Sequence, residues 1–218
     1  MKARLTRWIH LSAAGAALAC APTAAHAHLV ETRLGDFYSG ALHPLTDLQQ
    51  VLPWIALAVL AAFQGAQRAR WVILAFPLAL LAGGLLSLVL PQPAFGPALG
   101  LALVAATGLA VAAALRVPLP VLLGTAGIMG LLHGDQNGAA MAASTDRVLF
   151  LAGVMASGYV VMTLATGAAL AFLRGGGRGD DVPSTGSWRP IALRAGGSWV
   201  AAVGIMVLGL HLVTPGAS

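Results

Sequence analysis

The 218 residues are 58% hydrophobic and only 9% charged, against about 25% charged in a soluble domain. The net charge of +5 comes from one lysine and eleven arginines set singly between apolar stretches, which excludes a nucleic-acid patch and reads as a topology signal. The one cysteine, Cys20, excludes a disulfide framework and a thiolate metal cage within one chain.

The chain opens with Lys2, Arg4 and Arg7, then a short apolar core from Ile9 to Ala21. Ala25-His26-Ala27 fits the small-x-small cleavage rule, so residues 1–27 read as a cleavable signal peptide and the mature chain is expected to start at His28. A lipidated Cys20 fits less well, because Ala17 stands where a large aliphatic residue is preferred. After cleavage His28 offers an α-amine plus an imidazole to a metal.

Residues 28–218 are expected to form a single all-α membrane domain of six transmembrane helices, at about 45–63, 71–90, 97–115, 118–142, 147–173 and 191–213. The connectors are short except Arg174 to Pro190, whose Gly, Arg, Asp and Ser residues predict a flexible loop. With His28 outside, the inside segments hold Arg68, Arg70, Arg116, Arg174, Arg178, Arg189 and Arg194, and the outside segments only Arg33 and Arg147. That asymmetry predicts an inner-membrane protein with both mature termini in the periplasm.

The first span begins at His43-Pro44-Leu45-Thr46-Asp47, followed by Gln49 and Gln50. Proline suits a first helical position, and a carboxylate in the first turn is favoured by the helix dipole. A polar cap at the interface and a ligand role explain Asp47 equally well.

The fourth span carries His133-Gly134-Asp135-Gln136-Asn137 inside an apolar run. Ionisable side chains are costly in hydrocarbon, which makes each a site hypothesis. Met129, His133, Gln136 and Asn137 share one helix face. Asp135 points some 200° away from His133, by the step of about 100° per residue, and needs a second partner. Gly130, Gly134 and Gly138 recur every four residues, a ridge for close packing. The rival explanation of the polar group is a knot of hydrogen bonds that glues helices.

His28, His43, His133 and His211 all fall towards the outer side in this topology, as suits capture of a solute arriving from outside. Imidazole and carboxylate are donors that divalent transition metals take. The chain has no P-loop, no Ser-His-Asp set, no CxxC and no haem-attachment motif, so no enzyme activity and no ATP-driven transport is expected.

At these residues the chain resembles the HupE/UreJ family of small bacterial membrane proteins. The resemblance rests on the signal ending in a His-containing stretch, the His-Pro-Leu entry to span one, six short-looped spans and a His-Gly motif in span four. It implies a nickel or cobalt permease. The family pattern has His, then Asp-His six and seven residues on; here His43 matches and Gln49-Gln50 fill the other positions. The second pattern repeats His-Gly; here His133-Gly134 matches and Asn137-Gly138 stands in the second place.

The expectation is therefore a secondary permease or channel that takes a divalent metal inward, with no permanently bound cofactor. His43 and Asp47 would form an outer capture site, and His133, Asp135 and Asn137 an embedded one, with Gln50, Gln136 and His28 as further donors. The partners expected are the metal ion and the lipid bilayer, not nucleic acid; a protein partner and the oligomeric state stay open. The alternative is a non-transporting accessory or assembly subunit that keeps the same fold.

Overall fold

The computed structural model describes residues 35–91, 93, 96–175 and 188–213. The expected signal segment, Cys20 and His28 lie outside the described residues, as does most of the expected loop after Arg174. Within the described residues the regular elements are helices: α1 (Gly35–Leu42), a 3₁₀ turn (Pro44–Thr46), α2 (Leu48–Phe63), α3 (Ala66–Leu86), α4 (Gly96–Ala112), α5 (Leu119–Ala139), α6 (Arg147–Arg174) and α7 (Trp188–Val213). Helices α2 to α7 coincide with the six expected spans, with two informative shifts at their ends.

Span one does not begin as a helix at Pro44. Proline opens the 3₁₀ turn, and Asp47, in extended conformation, caps α2 by accepting from the Gln49 backbone N–H at 2.8 Å. A carboxylate that satisfies an orphan N–H is a stronger start signal than proline. The segment of α1 and the turn meets α2 at 78°. Similarly, α3 starts at Ala66 rather than Trp71, so Arg68 and Arg70 belong to its first turns. The reversal is made at Gly65, whose φ of 87° suits only glycine without strain.

Three helices, α3, α6 and α7, are long and apolar enough to cross a membrane, and a fourth is added if the bent pair leading into α2 is one broken span. The 17 residues of α4 reach about 25 Å at 1.5 Å per residue, short of a hydrocarbon core of about 30 Å. Helix α5 is as long as α3, but its polar group from His133 to Asn137 lowers its hydropathy.

Small residues set the packing. Gly130, Gly134 and Gly138 of α5 lie directly against the α3 backbone at Phe76, Leu80 and Gly84, in parallel register. This bears out the expected ridge. Gly108 of α4 meets Ala201 of α7, while Gly204 meets Ala105 and Gly197 meets Val111, an antiparallel pair. Gly40 of α1 and Gly153 of α6 bring those two helices into backbone contact. Trp54, Phe76, Leu80, Leu122, Met129, Leu151 and Met162 fill the core.

The two ends of the bundle differ in chemistry. At one, Gln64 donates to the Leu115 carbonyl at 2.9 Å and accepts from Val117 N–H at 3.0 Å, and Arg194 donates to the Ala112 carbonyl at 2.7 Å. Arg68 also reaches the Val117 carbonyl, and Arg189 lies against Gly175. The other end holds the cap Asp47, the cap Asp146 and Asp36, which accepts from Asp146 N–H at 2.8 Å.

Candidate functional site

Where α2 begins and α5 and α7 end, a cleft of about 410 Å³ opens between α2, α4, α5 and α7. Its polar lining is Asp47, Gln49, Gln50, His133, Gln136 and His211, and its apolar wall includes Pro97, Leu101, Val104 and Val207. Each polar group arrives for a local reason. Asp47 is fixed as the α2 cap, so its carboxylate stands at the cleft mouth and is exposed. Gln50 lies one turn deeper and is buried. His133 and Gln136 are three residues apart on α5, so they neighbour each other along its surface.

Two buried hydrogen bonds tie α2 to α5 behind this lining. The Trp54 indole N–H donates to His133 Nδ1 at 2.6 Å, and the Asn137 amide Nδ2 donates to Gln50 Oε1 at 2.5 Å. Asn137 also donates to the His133 carbonyl at 2.7 Å, one turn back on its own helix. Its Oδ1 is buried without a hydrogen-bond partner among the described residues. Trp54 is packed edge-on against Phe76, with ring centroids 5.2 Å apart.

The expected residues divide accordingly. Asp47, His133, Gln50 and Gln136 line one cleft, and Asn137 sits behind it on Gln50. His43 does not line it: the residue is exposed in the turn before Pro44, its ring 5.9 Å from that of Phe150. Asp135 does not line it either, consistent with its opposite direction on α5. His28 lies outside the described residues. Two further residues belong to the site. His211 reaches the cleft from α7, and its position at the outer end of the last span was the signal for it. Trp54 gave no signal, since tryptophan inside an apolar span reads as core.

Among the described residues no three His, Cys, Asp or Glu side chains gather as a metal cage. The cleft offers a cation one carboxylate, amide oxygens and imidazoles spread along its wall. Such a surface lacks the closed ligand set of a structural metal site.

The family described as "HupE / UreJ protein" matches residues 16–210. The chain is 31% identical to Protein HupE of Rhizobium leguminosarum bv. viciae over 163 residues, which cover 74% of this chain and 83% of that protein. No solved structure matches the chain.

Proposed function

The chain belongs to the HupE/UreJ family, and on that premise we propose that this multi-pass membrane protein is a secondary permease or channel for a divalent transition metal, nickel or cobalt. The ion enters the cleft at the Asp47 end and passes inward from the periplasm. The protein crosses the inner membrane six times, with the arginine-rich end inside and both mature termini outside.

One observation carries this reading. Residues from two sequence motifs, 87 positions apart, meet as Asn137 and Gln50, and Asp47 and His133 line the adjoining cleft. The two motifs thus meet in this chain through amides, at positions where the resembled pattern has imidazoles. Amides hold nickel less firmly than imidazole does, which suits passage over retention. The charge that attracts the ion is the Asp47 carboxylate.

A second reading is an accessory subunit that transports nothing. The observation in its favour is that both buried polar bonds, Trp54–His133 and Asn137–Gln50, also fasten α2 to α5. Uptake of radioactive nickel by cells lacking their own importers separates the two. Accumulation that depends on this chain supports the permease; accumulation equal to that of empty-vector cells supports the accessory role.

A further inference from the structure

His133 meets the cleft in a defined protonation pattern. An indole nitrogen only donates, and a neutral imidazole has one donor and one acceptor nitrogen. The 2.6 Å bond from Trp54 therefore makes Nδ1 the acceptor and leaves the ring proton on Nε2. Both rings are buried, Trp54 at 0% and His133 at 4% exposure, and Phe76 backs the indole. Of the two imidazole nitrogens only Nε2 remains for the cleft that His133 lines, and it carries a hydrogen.

A metal-ligating imidazole has the reverse arrangement, giving a lone pair to the ion and donating its other N–H to an acceptor. Trp54 has no acceptor to offer. For Nε2 to bind a metal, its proton must move to Nδ1, and the Trp54 N–H must lose its acceptor in a buried place, where an unpaired donor is costly.

We propose that Trp54 is a positioning residue that keeps His133 a hydrogen-bond donor, withholding the imidazole lone pair from a cation in the cleft. This rests on the reading of the cleft as a cation site. On the α2 and α5 walls the ion is then met by oxygens, the Asp47 carboxylate and the amide carbonyls of Gln49 and Gln136, while His211 lines the cleft from α7. Carboxylate and carbonyl oxygens suit harder ions, whereas imidazole draws the later transition metals. Trp54 therefore lowers the affinity for nitrogen-seeking ions without itself touching the ion.

Two measurements on the full chain in lipid nanodiscs test this. Histidine labelled with the heavy nitrogen isotope, with the His133 signals identified by their loss in His133→Gln, reports which ring nitrogen carries hydrogen. The expected result is Nε2–H with a bare Nδ1; hydrogen on Nδ1 overturns the proposal. Cobalt(II) titration then compares backgrounds. Trp54→Phe should raise cobalt affinity about tenfold, the size of relieving one buried unpaired donor. His133→Gln should then weaken binding about tenfold more in the Trp54→Phe background than in the wild-type background. Equal loss in both backgrounds, or no gain in Trp54→Phe, overturns the proposal. A chain that binds no cobalt in any form removes the cation reading, while the tautomer measurement still decides what Trp54 does to His133. Were Trp54→Phe unable to fold, the same measurement on the wild-type chain decides.

Discussion

Asp47 does two things with one carboxylate. Its Oδ1 accepts from the Gln49 N–H and starts α2, and the same group charges the mouth of the cleft. The two roles separate in Asp47→Asn, because asparagine caps a helix about as well as aspartate. Protein abundance and thermal stability should stay near those of the wild type, within about 0.5 kcal/mol. Nickel uptake should fall about tenfold or more, since one carboxylate near a protein surface contributes roughly 1–4 kcal/mol to a nearby cation. Loss of the protein from the membrane would instead assign Asp47 to structure alone. At this scale Asp47 and His133 were legible because charge and imidazole are rare in apolar spans. Trp54 was not, because its partner lies 79 residues away and nothing local marks a core indole as a hydrogen-bond donor. His43 looked equivalent to them in sequence, whereas the helical step already set Asp135 apart from His133. Chain direction separates His43: the turn at Pro44 keeps it from the cleft.

Glycine in α5 has two environments within one helix. At Gly134 a Cβ would run into the Leu80 carbonyl and the Gly84 backbone of α3, whereas at Gly124 nothing lies within 4 Å. Gly134→Ala should destabilise the purified protein by about 1–3 kcal/mol, the usual cost of overpacking. Gly124→Ala should be neutral or stabilise by up to about 1 kcal/mol, the helix propensity gained. Thermal unfolding in detergent reads both. Equal effects at the two positions would contradict the close α3–α5 contact. The four-residue glycine spacing made the ridge legible. Its partner helix was not, because the spacing along α5 does not say which helix faces it. The true start of α2 was hidden by Pro44, which is compatible with helix entry but yields to the Asp47 cap four residues from His43.

Across the whole molecule, alternating helices sort the charges. Arg68, Arg116, Arg189 and Arg194 collect at one end, and Asp36, Asp47, Asp146 and His211 at the other. The expected orientation puts the arginine end in the cytoplasm. In a Cys20→Ser background, Ser184→Cys should resist an impermeant thiol reagent added to intact spheroplasts, and Ser144→Cys, between α5 and α6, should react. The opposite pattern would invert the protein and turn the cleft towards the cytoplasm. The all-helical class and the six helix positions were legible because apolar length and short connectors are strong signals. How α2 and α5 meet across the bundle is a matter of tertiary packing that no single segment encodes.

Transport itself is tested most directly with the purified full chain in liposomes that enclose a metal-responsive dye. With nickel or cobalt added outside, the wild-type chain should give a dye response well above that of empty liposomes, and Asp47→Asn should reduce it about tenfold or more. A wild-type response equal to that of empty liposomes, from protein shown to be folded, would contradict the permease account.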